Sequence, residues 1–414
     1  MTINHTSTLD ALVSSLLHEG YCLYPYTPGA VKNATPTPFG IVYPPGYAAT
    51  QGHAFDHLQL ECVLQGSPQV TVEGSALFLQ ASGPGHRAVE RHVALPAATL
   101  ESLARAPEEA GFTFERDDGD TVEGRVLLSA ESSGRELWRL RLRVENRTRV
   151  PVTVAAELDR RAALERALLS THALLQARGG RFVSPLEREG ELGAAVAACR
   201  NSNTWPVLAT PGDDAILGAA IFLPDHPEIA PESRVDFFDN TEIEEALVLH
   251  VRSLSEAERQ AIGEQDQSVR DLIDRALTMP PEELMALHGV LRPVRSPSAS
   301  LRTPAQGESV HPADNFSYLT RPRDDAGIPG EEVLSFDGTS FRRGGKVVLR
   351  LDGRTDPHER LLDGRTATVE RLYLDYDDKP YLGVTVDGDP AQELMRESGR
   401  FLYFFPHEVE VVDP

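Results

Sequence analysis

The sequence predicts an α+β protein: an antiparallel, β-sandwich-like body that carries helices, followed by a small SH3-like β-barrel. Three observations carry this expectation. Between residues 57 and 150, apolar and polar residues alternate with period two in one segment after another. After 150, helical patterns enter between the strand-like ones. Finally, residues 333–414 hold five short strand-like segments separated by turn residues. Residues 292–332 open on a stretch rich in Pro, Ser, Gln and Gly and poor in apolar residues, the composition of a flexible linker. The expected organisation is therefore a body at 1–291, a tether at 292–332 and a barrel at 333–414.

The elements follow in order. Leu9, Leu12, Val13, Leu16 and Leu17 recur at helical spacing and Gly20 stops the run, which predicts a helix over 8–18. Residues 21–26 alternate like a strand, and 27–52 hold too much Pro and Gly for central sheet. Strands are expected at 57–64, 69–73, 76–80, 122–128 and 138–144. The last runs from Trp138 to Val144 with an arginine at every second place, so one face covers a core and the other meets solvent. An amphipathic helix is expected over 159–169, a hairpin over 174–184 turned at Gly179–Gly180, and a helix over 187–200. Strands should follow at 204–209, 215–223 and 246–251. Ser255 and Glu258 have capping-box spacing for a long helix, and Pro281-Glu282-Glu283 opens a last helix before Gly289. The barrel strands are expected at 346–351, 366–376, 381–386, 401–405 and 408–412.

Composition narrows the function classes. The chain has 414 residues and a formal net charge of −23, the wrong sign for a general binder of nucleic acid or anionic membrane. No apolar run reaches the length of a membrane span, and the start MTINHTSTLD lacks the pattern of a secretory signal. Cys22, Cys62 and Cys199 are few, odd in number and far apart, which fits a reducing cytoplasm. Thirty-seven of the forty basic residues are arginine, spread over the whole chain rather than gathered at one site. No phosphate-cradling glycine loop and no nucleophile elbow is present, so no cofactor is expected.

The candidate chemistry is sparse. His53, His57 and Cys62, with Asp56 and Glu61 between them, form the best metal-like cluster. The four-residue spacing of the histidines suits a metal-binding helix, but residues 57–64 alternate as a strand. Cys62 then shares a face with Leu58 and Leu60 and reads as a buried small hydrophobe. Cys199 ends an alanine-rich helix and reads as core packing. Carboxylates gather at Asp236, Asp239, Glu242, Glu244 and Glu245, and again at Asp375, Asp377 and Asp378; paired carboxylates can bind divalent cations or perform acid/base work, but without EF-hand spacing both stretches read as solvated acids. The most unusual stretch places Tyr21, Tyr24, Tyr26, Tyr43 and Tyr47 among prolines, with Lys32 and Asn33. Rigid tyrosine surfaces suit protein recognition, and the same residues also suit sealing the end of a sandwich.

Several strings carry a resemblance. They are LeuLeuHisGluGlyTyrCysLeuTyrProTyrThrProGlyAlaValLysAsn (16–33), PheGlyIleValTyrProProGlyTyr (39–47), CysArgAsnSerAsnThrTrpProValLeu (199–208), IleAlaProGluSer and PheAspAsnThrGluIle within 229–243, ArgThrAlaThrValGlu (365–370) and PhePheProHisGluVal (404–409). Together they resemble accessory proteins encoded beside actinobacterial-type, high-affinity NiFe hydrogenases. The resemblance implies a role in assembling or operating a hydrogenase and transfers no catalytic residue. The leading expectation is a non-catalytic accessory or assembly factor that binds a hydrogenase subunit or maturation protein. The alternatives are a small-molecule- or sugar-processing enzyme using Asp236, Asp239 and Glu242, and a metal carrier at His53, His57 and Cys62.

Overall fold

The computed structural model describes residues 5–18, 39–51, 54–82, 88–149, 160–229, 244–263, 267–286, 333–336, 339–351, 361–374, 380–399 and 401–412. The chain divides into two compact units. One takes Met1–Leu287 with Thr355–Leu361 and Gly388–Leu394; the other takes His288–Arg354, Leu362–Asp387 and Met395–Pro414.

In chain order the first 287 positions supply α1 (His5–Leu17), α2 (Pro45–Ala48), β1 (His57–Gln65), β2 (Thr71–Ala81), β3 (Ala88–Ala94), β4 (Ala98–Thr99), α3 (Leu100–Arg105), β5 (Glu108–Glu115), β6 (Thr121–Gly134) and β7 (Leu137–Asn146). They continue with α4 (Arg160–Leu164), β8 (Leu169–Arg178), β9 (Arg181–Phe182), α5 (Gly190–Ala197), β10 (Trp205–Leu208), β11 (Ala215–Ala219), α6 (Glu244–Ser253), α7 (Glu256–Gly263), α8 (Gln267–Thr278) and α9 (Pro281–Ala286). Two antiparallel sheets result, ordered β5-β6-β7-β1-β9 and β10-β11-β8-β2-β3, with β4 paired to β2.

The sheets pack face to face, as the alternation predicts. Leu58, Leu60, Cys62 and Leu64 of β1 and Leu140, Leu142 and Val144 of β7 are buried together with Val72, Ala76 and Phe78 of β2 and Leu175 of β8. Each leucine so buried contributes about 1.5–3 kcal/mol. The arginines of β7 take the opposite face. Arg139 pairs with Glu131 at 2.5 Å, Arg141 with Glu61 at 2.5 Å and Arg143 with Glu145 at 2.8 Å. Burial would raise the Glu145 carboxyl, but hydrogen bonds from Arg125 and Arg143 outweigh it and hold the group below its usual range.

The far face of the second sheet carries its own core. Leu9, Leu12, Val13, Leu16 and Leu17, the apolar stripe of α1, are buried there with Ile41, Tyr43, Tyr47, Leu174, Val207 and Leu217. The second sheet is therefore buried on both faces, which is why β11 reads as a continuous apolar run.

Several local expectations are corrected. Residues 174–184 are not a hairpin: β8 pairs with β2 and β11, while β9 pairs with β1 in the other sheet. Gly179, at φ +88°, carries the chain between sheets; the same left-handed freedom that serves a tight hairpin serves this crossing. Residues 246–251 lie in helix α6, because Val248, Val251 and Leu254 are buried at three-residue spacing. The helix expected over 159–169 is only α4, and 69–73 and 76–80 form the single strand β2 through Gly74. The Ser255–Glu258 capping box is present: Glu258 N donates to Ser255 Oγ at 3.3 Å and Ser255 N donates to Glu258 Oε2 at 2.8 Å.

The remaining chain supplies β12 (Val333–Phe336), β13 (Thr339–Arg342), β14 (Lys346–Leu349), β15 (Thr366–Leu374), β16 (Pro380–Val386), α10 (Gln392–Ser398), β17 (Leu402–Phe404) and β18 (Val409–Val411). β12 and β13 form a hairpin, and five antiparallel strands run in the order β17-β16-β15-β14-β18. Val347, Leu349, Ala367, Val369, Leu372, Leu382, Val384, Val386 and Phe404 are among its buried residues. Helix α10 was not anticipated; its short apolar content gives no helical stripe.

Candidate functional site

Of the tyrosine-rich stretch, Tyr21, Tyr24, Tyr26, Lys32 and Asn33 lie outside the described residues. Tyr43 and Tyr47 are described, and they do not form an exposed surface: they are 1% and 6% exposed, with ring centroids 4.8 Å apart in the α1 core. Of the two roles open to them, they seal the body. The Tyr43 hydroxyl donates to Glu393 Oε2 at 2.7 Å, and Arg160 Nε donates to Glu393 Oε1 at 2.7 Å. Burial first, and the Glu393 charge second, push the Tyr43 phenol far above its ordinary range, so it stays a donor.

The metal-like cluster is not assembled by its described members. His53 lies outside the described residues. His57 and Cys62 stand five apart on β1 and so point to opposite faces. His57 Nδ1 lies 2.7 Å from Asp56 Oδ1, while Cys62 is buried between the sheets. Among the described residues no three His, Cys, Asp or Glu side chains converge as a metal site. Burial raises the Cys62 thiol well above its usual value, and burial with the nearby Glu61 pushes Cys199 up to about 12. Both thiols are thus protonated at neutral pH and poor nucleophiles. Asp236, Asp239, Glu242, Asp375, Asp377 and Asp378 lie outside the described residues; Glu244 and Glu245 open α6.

A tyrosine surface does exist, in the second unit. Tyr373 on β15 faces Tyr381 on β16 in register, and the next inward pair is Gly383 with Tyr403 of β17. Tyr373 and Tyr381 stack, centroids 5.1 Å apart and planes 12° apart. Tyr403 meets them edge-on at 5.7 and 5.8 Å. All three are partly exposed. Gly383 is what lets them close up: a Cβ there would lie 3.1 Å from Tyr373 Cε2 and 3.3 Å from Phe401 Cβ. Arg371 extends the platform, its guanidinium 5.8 Å from the Phe401 ring centre. The patch offers rigid apolar area rimmed by hydroxyls and a cation, the chemistry that anchors protein partners. Each of the three strands holds a single tyrosine, so no pattern in the sequence marks the cluster and only the register brings the three together. No helix among the described residues is long and apolar enough to cross a membrane.

No family model, no curated protein and no solved structure matches this chain.

Proposed function

We propose that the protein is a non-catalytic accessory or assembly factor that grips a protein partner through Tyr373, Tyr381 and Tyr403, set on the SH3-like barrel expected of residues 333–414. The observation that carries it is the partly exposed tyrosine trio on three adjacent strands, two rings stacked and the third edge-on to both. Pre-packed aromatic rings lose little side-chain entropy on binding, which is why such clusters become interface anchors. The partner class, a NiFe hydrogenase subunit or maturation protein, comes from the resemblance of residues 16–33, 39–47 and 199–208 to hydrogenase accessory proteins.

Affinity capture from the native host, with the tagged full-length chain and its Tyr381→Ala/Tyr403→Ala variant, tests both parts. The wild-type chain is expected to retain a hydrogenase structural or maturation component that the folded double variant loses. Recovery of no hydrogenase component overturns the partner, and equal recovery by both chains overturns the platform.

A further inference from the structure

The tyrosine trio sits beside a charge that its surroundings leave uncompensated. On β15, Arg371 and Tyr373 flank the buried Leu372, so they share the outer face of the sheet. The register carries that face across three strands: Tyr373 faces Tyr381, while Arg371 faces Gly383, which in turn faces Tyr403. Arg371 is exposed, and among the described residues it forms no ion pair. The Phe401 ring centre is 5.8 Å from its guanidinium, close to the outer limit of a cation–π contact, so the ring offsets little of the charge. Charges further along the same sheet are matched. Glu370 Oε1 accepts from Arg396 Nε at 2.5 Å, and Lys346 Nζ donates to Asp387 Oδ2 at 2.7 Å.

Resting on the platform reading above, we infer that the trio and Arg371 together recognise an acidic segment of the partner protein. It is an extended stretch that sets an Asp or Glu carboxylate against Arg371 and an apolar neighbour against the tyrosines. Three features of one sign select this occupant. The guanidinium offers a carboxylate two parallel N–H donors. Side chains stand roughly perpendicular to a sheet, so the tyrosines turn their hydroxyl ends outward, and a phenol hydroxyl donates to a carboxylate. The stack covers the faces that Tyr373 and Tyr381 share and leaves ring edges, the positive side of the aromatic quadrupole, for the partner. A basic segment would instead meet Arg371 as a like charge and find the shared, negative ring faces already covered. The chain's net charge of −23 disfavours an acidic segment over most of its surface, so Arg371 also fixes where that segment docks.

The test is selection from a phage-displayed library of random peptides on the immobilised full-length chain, with removal of every clone that also binds the folded Tyr381→Ala/Tyr403→Ala variant. The tyrosine-dependent peptides should be enriched in Asp and Glu over the library and should bind Arg371→Glu roughly tenfold more weakly than wild type. Replacing their Asp and Glu by Asn and Gln should weaken binding to the wild-type chain to a similar degree, a readout that needs no variant to fold. Tyrosine-dependent peptides without acidic enrichment, or indifferent to both changes, overturn the acidic partner and leave the platform standing. A selection rich in Lys and Arg that is lost on Asp375→Asn/Asp377→Asn/Asp378→Asn overturns it in favour of the acidic run that follows Tyr373 in the sequence. If no peptide depends on the tyrosines, the platform itself falls, and this inference with it.

Discussion

Tyr43 and Glu393 are 350 positions apart in the chain and 2.7 Å apart in the fold, the phenol donating to the carboxylate. Arg160 holds the other carboxylate oxygen, so three distant segments share one buried carboxylate. Removing the donor and removing the counter-charge should therefore differ. Tyr43→Phe leaves Glu393 neutralised and short of one hydrogen bond, an expected loss of about 1–2 kcal/mol. Arg160→Met leaves a mostly buried carboxylate without its cation, and about 3 kcal/mol is expected. Urea unfolding of both variants checks the order; an equal loss would mean that Arg160 contributes no charge compensation.

Gly74 marks a close approach of the two sheets. A Cβ there would lie 3.0 Å from Leu142 Cδ1, 3.2 Å from Leu128 Cδ2 and 3.3 Å from Leu175 Cδ2. Alanine would gain about 0.4–1 kcal/mol by restricting the unfolded chain, but forcing three packed leucines apart costs about 1–3 kcal/mol. Gly74→Ala is thus expected to lower the denaturation midpoint. Its rise would show that the leucine methyls have room to yield.

His172 should make the fold acid-sensitive. It is buried on β8, its Nδ1 bonded to the Ser170 carbonyl at 2.7 Å, and its Nε2 has no protein partner. A carbonyl only accepts, so Nδ1 carries the hydrogen and the ring is neutral. Burial holds its pKa down at about 4 against an ordinary value of 6.5. As pH falls below 6.5 the unfolded chain takes up a proton that the folded chain refuses. Stability is therefore intact at pH 7, falls between about 6.5 and 4, and levels off below, by up to about 3 kcal/mol. His172→Leu should flatten that part of the pH–stability curve. An unchanged slope would assign it to other groups.

The two described thiols are expected to resist modification. With Cys62 raised well above its usual value and Cys199 at about 12, alkylation at pH 8 should be slow at both in the folded chain and fast in urea. Peptide mapping after a timed pulse of iodoacetamide reads each site separately. Rapid native labelling of Cys199 would show that α5 opens.

What could be read from the residues depended on the range of the interaction. The β7 alternation from Trp138 to Val144 states its own buried face, and Ser255 with Glu258 states a helix start, because both signals lie within a few residues. Gly179–Gly180 permits either a hairpin or a sheet crossing, and only the pairing of β9 with β1 chooses. Residues 246–251 were ambiguous because a short apolar run suits both strand and helix until its burial partners are known. The tyrosine trio and the Tyr43–Glu393 contact were illegible for the same reason: each is made by register or by tertiary contact between segments that are locally unremarkable.

The tyrosine platform yields the sharpest functional expectation. Tyr381 lies on β16, the middle strand of the three, stacked on Tyr373 and edge-on to Tyr403. If the trio anchors a partner, Tyr381→Ala should cost at least about 2 kcal/mol of binding, roughly thirtyfold in Kd. Stability should fall too, by about 1–3 kcal/mol, because Tyr381 makes two aromatic pairs worth about 0.5–1.5 kcal/mol each. Tyr381→Phe keeps the stack and loses only the hydroxyl, so it separates the two contributions. Near-wild-type affinity in Tyr381→Phe with a large loss in Tyr381→Ala would assign recognition to the ring face. A loss in both would assign it to the hydroxyl. Titration of the captured partner by calorimetry, beside thermal unfolding of each variant, reads the split. If Tyr381→Ala loses affinity only in proportion to the fraction of chain unfolded at the titration temperature, Tyr381 belongs to the support of the sheet instead of the interface.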